Sequence, residues 1–481
     1  MENHVSLWNR TVDIPRRERL NRDMEADAAV IGAGMAGVLI ADRLKRRGLR
    51  VVVLEASRIG SGQTGNTTAK ITCQHGMIYH ALIERFGREK ARHYADANQQ
   101  AIREYADLIQ ERDIDCDFRE APAYLYSGID AEPLRREAEA AASLGIDASF
   151  TTETELPFAV AGAVRFEQQA LFHPLKFLQA VSDGLEIYEQ TPALTVDDHV
   201  IRTEGGTVRA GHVIFACHFP FVNVPGWYFM RMHQERSYVL AVEGDWQPEG
   251  MYYGVDPQAL SFRAAEGLVL LGGGNHRTGE NSQGGRYEAL RQQARNLLPD
   301  SREAACWSAQ DCMTLDGLPY IGSFSPSVPC WHVATGFGKW GMISSMVAAM
   351  IIADRIAGHA PDWAEVFSPS RFELSASAKN LATDTAQAFK GLAREFLTLP
   401  RGVLDDLPPG HGGIVEADGR KAGVYKDDEG HCHVVNPRCP HLGCQLEWNP
   451  DEKSWDCPCH GSRFSYDGSL IDNPAQENLG T

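Results

Sequence analysis

The chain has 481 residues, with 46 Lys and Arg against 64 Asp and Glu, for a formal net charge of −18. An acidic surface of this size repels phosphate backbones and argues against a nucleic-acid partner. Apolar residues make up 43%, enough for a real core, and the length suits about three domains, or one large two-lobed unit plus a module.

No transmembrane segment is predicted. Gly211–Met230 is uncharged and long enough by count, but it holds His212, His218, Pro220, Asn223 and Pro225 and reads as a strand followed by a loop. Trp340–Ala353 is cleaner but has only 14 residues, the length of a buried helix. Residues 1–25 form an extension without a basic segment leading into an apolar one, so no secretory signal is predicted and the expected location is cytoplasmic. Of eleven cysteines, five fall between Cys432 and Cys459. In a reducing compartment such crowding points to metal or redox chemistry.

The first informative stretch is residues 27–57. A short apolar run, Ala28–Ile31, leads into Gly32, Gly34 and Gly37 at GxGxxG spacing. A helix follows to about Arg47, with Ala36, Leu39, Ile40 and Leu44 on one side, and Gly48 ends it. The β-branched run Val51–Leu54 stops at Glu55, 21 positions after the second glycine. This is a βαβ unit for a dinucleotide. The glycines allow a tight turn and close approach to a pyrophosphate, the helix N-terminus faces the phosphates, and Glu55 accepts from ribose hydroxyls.

The polar loop SRIGSGQTGNTTAKIT comes directly after. With LFHPLKFLQA (Leu171–Ala180), HVIFAC (His212–Cys217), LDGLPYIG (Leu315–Gly322) and the final Val333–Gly358 segment, the chain resembles flavoproteins of the D-amino-acid oxidase/sarcosine oxidase type over roughly residues 25–365. The resemblance implies FAD as cofactor and a Rossmann-like FAD-binding domain interleaved with an α+β substrate lobe over 26–365. Its cofactor contacts would fall on Gly32, Gly34, Met35, Ala36, Gly37, Glu55, Ala56, Ser61, Thr64, Thr67 and Thr68. A second set would come from Gly336, Gly338, Lys339, Trp340, Gly341 and Met342, where the last helix aims its N-terminus at the flavin.

Several positions depart from the family. Where many amino-acid oxidases carry an arginine for the substrate carboxylate, this chain has Gln310 and Asp311. Asn66 takes the place of the histidine through which some relatives attach flavin, and Cys312 lies near another attachment point but reads better as a half-buried thiol. His173 and Lys339 are the two candidates for catalytic side chains, each with a plain alternative: a structural contact and a surface lysine. The other glycine-rich run, Leu268–Gly279, lacks GxGxxG spacing and reads as a strand and turn of the substrate lobe, which disfavours NADH. Residues 80–155 are helix-patterned and are assigned to the substrate lobe.

Residues 366–404 are predicted as a helical connector, with Ala386, Phe389, Leu392 and Phe396 at helical spacing. A small all-β module then spans 405–481. It carries Cys439-x-His441, fifteen residues, and Cys457-x-x-His460, with Cys444 and Cys459 at equivalent places in the two boxes. A Cys₂His₂ zinc site could use such ligands but explains neither the second cysteine pair nor the Gly and Pro positions. The boxes CPHLGC and CPCHGS resemble the Rieske [2Fe–2S] domain. By that resemblance Cys439 and Cys457 hold one iron, His441 and His460 the other, and Cys444 and Cys459 form a disulfide. Imidazole ligands raise such clusters to about −150 to +300 mV. Ser462 fills the place of one hydrogen-bonding residue of the high-potential members, but Phe464 stands where a tyrosine would be. A potential below the top of the range is expected, unless Tyr466 substitutes.

Together these features describe a flavin-dependent dehydrogenase. A small substrate, an amine or N-alkyl amino acid by resemblance, is oxidised at FAD, and electrons pass singly through the cluster to an external acceptor, a protein or a quinone. The alternatives are an NAD(P)H-dependent reductase serving a partner enzyme, and a non-enzymatic redox sensor or electron-transfer subunit.

Overall fold

The computed structural model describes residues 4–371, 407–417 and 420–480. Most of the predicted 366–404 connector lies outside the described residues; its first residues close the short 3₁₀ helix Asp362–Phe367.

The molecule is built on two large sheets that share one chain. In the first, of eight strands, Met24–Ile31 is central and is flanked in parallel by Val51–Leu54 and Thr207–Phe215. Glu186–Tyr188 and Trp331–Thr335 extend it in parallel, and Tyr320–Ser323 adds an antiparallel edge. Val51–Leu54 is buried at every position, as expected of a parallel strand covered on both faces. Helices Met35–Arg46 and Gly341–Ile356 pack on one another. The second helix is buried from Met342 to Ala353, which explains its uninterrupted apolar run without a membrane. No described helix is long and apolar enough to cross a bilayer.

The second sheet has nine strands. Its main path runs Arg302–Thr314, Met232–Glu243, Leu268–Arg277, Ser261–Ala265, Met251–Gly254, Arg119–Ser127, Gly162–Leu171 and Lys70–Ile71. Its segments come from between those of the first sheet, so the two lobes interleave. The predicted helical stretch 80–155 needs correction. It contains helices Tyr79–Glu111 and Glu132–Ser143, but also strands Arg119–Ser127 and Ala148–Thr151 of the nine-stranded sheet. Ala-rich composition masks the first strand, whose residues Ala123–Ser127 are all buried rather than alternating. The long helix also belongs with the dinucleotide half: it packs on Gly341–Ile356, and Arg112 just beyond it pairs with Asp42 at 2.6 Å.

The C-terminal module holds a three-stranded sheet, Gly412–Ala417, Arg420–Lys426 and Cys432–Val435. A four-stranded sheet follows, Glu447–Asn449, Ser454–Asp456, Arg463–Ser465 and Leu470–Asp472. Leu446, Trp455 and Phe464 form the centre of its own small core.

Candidate functional site

The glycine loop is a cradle only glycine can line. Gly32 has φ +106°, and a Cβ there would sit 2.6 Å from the Ala216 carbonyl oxygen; at Gly37 it would sit 1.9 Å from the Gly32 carbonyl oxygen. Glu55 accepts from the backbone N–H groups of Ala33 (2.7 Å) and Ser57 (2.8 Å). Burial raises its carboxyl above the ordinary range, these donors oppose the rise, and Glu189 adds to it. Thr64 Oγ1 accepts from Met35 N–H at the start of the helix, which joins the polar loop to the glycine turn. Ser61 turns away, donating to the Arg58 carbonyl on the exposed side.

Thr67, Thr68, Lys339, Trp340 and Met342 meet on the wall of one cavity of about 690 Å³, together with Asn66, Lys70, Ser237, Tyr253 and Asp311. Gly336 and Gly338, both at positive φ, carry the chain into this wall, and Gly341 opens the helix behind it. The glycine cradle and the loops around Thr67 and Trp340 carry groups that a flavin dinucleotide would use.

Lys339 is not a surface lysine. Its Nζ lies 3.2 Å from Asp311 and 3.5 Å from Glu235, and those carboxylates hold its ammonium in the charged form. The hydrogen bond from His233, aided by Lys339, holds Glu235 down to about 2 against burial. His173, the other candidate catalytic side chain, is not on the cavity wall and makes a structural contact instead. It caps helix Pro174–Ser182, accepting from Lys176 N–H at 3.2 Å, and lies 3.0 Å from Thr11 Oγ1. Burial lowers its imidazole to about 4. Cys312 is a buried thiol beside Met232 and Thr335, with burial raising it to about 12. The N-terminal extension contributes more than expected: Trp8 Nε1 donates to the Thr67 carbonyl at 2.6 Å, bracing the polar loop.

The two cysteine–histidine boxes form matching loops. Gly443 N–H bonds to the Cys439 carbonyl, Gly461 N–H bonds to the Cys457 carbonyl, and the Cys444–Cys459 disulfide joins the loops. Cys439 is held below the ordinary thiol range by its hydrogen bond with Cys457, with Ser462 also contributing. The His441 and His460 rings are 5.0 Å apart and nearly perpendicular. His441 Nε2 bonds to Asn223 Oδ1 at 2.9 Å, whereas its Nδ1 is buried without a partner. Two adjacent thiols and a buried imidazole nitrogen left without a partner are three of the four donors a Rieske cluster requires, and His460 beside them carries the fourth. Among the described residues, the three donors close enough for a single ion here are Cys444, Cys457 and Cys459, two of them consumed by the disulfide. Tyr466 packs against Tyr425 and His433.

These loops are seated on the back of the nine-stranded sheet. Strands Met232–Glu243 and Arg302–Thr314 pair antiparallel, and their residues alternate between faces. Glu235, Ser237, Ala309 and Asp311 belong to the cavity side. Gln234, Arg236, Ser308 and Gln310 face the C-terminal module. Gln234 Nε2 donates to the His460 carbonyl (2.8 Å), and Gln310 Nε2 to the Gly461 carbonyl (2.8 Å) and Gln234 Oε1 (2.6 Å). A Cβ on Gly461 would strike Gln234 at 2.6 Å. Glu452 is buried between Arg236 (2.8 Å) and Arg463 (3.2 Å), and accepts from Ser308 (2.7 Å) and Tyr287 (2.8 Å). Although burial opposes it, Arg236 and then Arg463 hold Glu452 down to about 2. Sequence reading singled out Gln310 and Asp311 only as a missing arginine. Their adjacency on a strand already implied opposite faces. Asn223, Gln234, Arg236 and Glu452 carried no local signal, because their roles exist only across the interface.

A βαβ glycine cradle, a cavity on the nine-stranded sheet and a two-loop Cys₂His₂ module on the back of that sheet define a flavin and iron–sulfur oxidoreductase. The model of the FAD dependent oxidoreductase family matches residues 27–355, and that of the Rieske [2Fe-2S] domain matches 400–481. The chain therefore belongs to the FAD-dependent oxidoreductases of the D-amino-acid oxidase type and carries a Rieske domain. It is 38% identical to the Rieske 2Fe-2S iron-sulfur protein YhfW of Bacillus subtilis, over 98% of this chain and 96% of that one. Gamma-glutamylputrescine oxidoreductase of Escherichia coli is 27% identical over 41% of this chain and half of its own length. Glycine oxidase from Geobacillus kaustophilus shares the fold, with a TM-score of 0.62 at 20% identity over 73% of this chain and all of that one.

Proposed function

We propose that the protein is a dehydrogenase that oxidises a small amine or amino acid in the 690 Å³ cavity and passes the electrons, one at a time, to an external acceptor. The observation that carries this reading is the placement of the cysteine–histidine loops. They are bonded through Gln234 and Gln310 to the two strands whose opposite faces reach the cavity. FAD, when bound, supplies two-electron oxidation of a C–H bond, and the [2Fe–2S] cluster supplies one-electron transfer. The chain's own residues would bind and orient them. Gly32, Gly34, Gly37, Glu55, Thr64, Thr67 and Thr68 would hold the dinucleotide, and Cys439, His441, Cys457 and His460 would hold the cluster. Lys339, fixed as a cation by Asp311 and Glu235, keeps a positive charge on the cavity wall beside Trp340. The amine class is supported by the likeness to gamma-glutamylputrescine oxidoreductase and to glycine oxidase, whose names state activities of those proteins.

The test is anaerobic reduction of the holoenzyme with a panel of amines and amino acids, followed by flavin absorbance and the electron paramagnetic resonance signal of the reduced cluster. Bleaching by an amine with appearance of the cluster signal is expected, with turnover faster on a one-electron dye than on O₂. Equal turnover on O₂ would defeat the dehydrogenase reading, and rapid bleaching by NADH or NADPH would replace it with a reductase.

A further inference from the structure

Outside both redox sites, the eight-stranded sheet gathers a thiol, an imidazole and a carboxylate around one point. Strands Thr195–Asp197 and Val200–Arg202 form a hairpin in which Asp197 pairs with Val200, so Asp198 and His199 are its two turn residues. Asp198 has φ +49°, the left-handed conformation that such a turn takes. The hairpin pairs with the start of strand Thr207–Phe215, and Trp331–Thr335 pairs with the same strand further along. The turn thereby meets Cys330, the residue just before Trp331–Thr335. Cys330 Sγ lies 3.5 Å from Asp198 Oδ1, and His199 Nε2 lies 3.7 Å from the same oxygen. All three donor atoms are within 4.8 Å of one another.

These separations suit a tetrahedral zinc ion. With Zn–S of about 2.3 Å and Zn–N and Zn–O of about 2.0–2.1 Å, the S···O edge is about 3.6 Å and the N···O edge about 3.4 Å. The surroundings orient the donors. His199 Nδ1 bonds to the Ala210 carbonyl at 2.8 Å. A carbonyl only accepts, so Nδ1 carries the hydrogen, and in the neutral ring Nε2 keeps its lone pair for a metal. Trp331 Nε1 donates to the Asp198 carbonyl at 2.6 Å, fixing the turn beside Cys330. Cys330 is buried, whereas Asp198 and His199 are open enough to admit an ion from solvent. Burial, then the hydrogen bond and charge of Asp198, raise the Cys330 thiol above its ordinary range, so it stays protonated at neutral pH until a metal displaces the proton. The cluster of Asp427, Glu429 and His431, by contrast, holds no sulfur and no buried donor.

We propose that Cys330, His199 and Asp198 bind one zinc ion, with water in the fourth position, as a clasp between the hairpin and the start of strand Trp331–Thr335. A thiolate, an imidazole and a carboxylate together favour a borderline cation over calcium or magnesium, which take oxygen ligands. Binding forms a Zn–S bond and releases the thiol proton to solvent, with no change in oxidation state. The clasped strand leads through Gly336 and Gly338 to Lys339 and Trp340 of the cavity wall. The ion therefore steadies the sheet that carries this wall without touching the reacting groups.

The probe is zinc itself, added to holoenzyme whose flavin and iron have been quantified, with unbound metal then removed by desalting. One zinc per chain is expected in addition to the iron, and X-ray absorption at the zinc edge should show one sulfur with three nitrogen or oxygen neighbours. Cys330→Ser and His199→Gln, measured by competition with a chromophoric chelator, should each weaken zinc by at least about 100-fold, the upper end for a residue that merely orients a ligand. Zinc should raise the thermal midpoint of the parent protein and not that of Cys330→Ser. Flavin and iron contents equal to the parent's show that each variant is folded. Two sulfurs per zinc, or zinc that rises as iron falls, would put the ion in the Cys439 and Cys457 loops and overturn the proposal. Zinc affinity unchanged in both variants would overturn it as well.

Discussion

Glu452 is the residue on which the seating of the Rieske domain most depends, and its removal gives a quantitative test. The side chain is 9% exposed and is shared by Arg236, itself 2% exposed, and Arg463. Replacing it with alanine leaves Arg463 two carboxylates, Asp456 at 3.1 Å and Asp472 at 3.0 Å. Arg236 keeps only Asp472, at 4.0 Å, so one buried guanidinium is left almost uncompensated. Breaking a buried pair from one side costs about 3–5 kcal/mol. The carboxyl itself gives an independent figure: a fall from 4.5 to about 2 corresponds to about 3 kcal/mol at 1.36 kcal/mol per unit. Because the folded value is depressed, this stability is fully present above pH 4.5 and is lost as the pH falls toward about 2. Urea unfolding at neutral pH, followed by visible circular dichroism of the cluster and separately by flavin fluorescence, should show the cluster transition shifted by about 3–5 kcal/mol in Glu452→Ala. The shift should be smaller in Glu452→Gln, which keeps the shape. A loss below about 1 kcal/mol, the level of an exposed pair, would refute the claim that this network holds the domains together.

Cys457→Ala should abolish the cluster's visible absorbance and paramagnetic signal while FAD remains bound; loss of both cofactors would contradict the separate cores of the two halves. Gly37→Ala places a methyl 1.9 Å from the Gly32 carbonyl oxygen, so purified protein should lack flavin absorbance yet retain the cluster. His173→Ala removes a helix cap and should lower stability by about 1–2 kcal/mol in thermal melts. Its steady-state kinetics should be unchanged, and an altered pH profile for turnover would return His173 to the site.

What could be read in the sequence divides along a physical line. Gly32, Gly37 and Glu55, like the Cys439 and Cys457 boxes, act through backbone geometry and ligand chemistry fixed within a few residues, so spacing alone reveals them. The helix Gly341–Ile356 was legible because burial on all sides leaves an unbroken apolar run. The strand Arg119–Ser127 was not, since Ala and Tyr buried on both faces show no period of two. Lys339 and His173 could not be placed, because a lysine or histidine has no environment until distant strands supply it: Asp311 and Glu235 for one, Thr11 for the other. The same holds for the alternation of Gln234 and Glu235, or of Gln310 and Asp311. Period two says that such neighbours diverge, but only the seated Rieske domain gives the outer face a function. The carbonyls of His460 and Gly461 are held by amides one residue removed from carboxylates that fix the cavity's lysine. A single two-stranded ladder thus serves both sites, one on each of its faces.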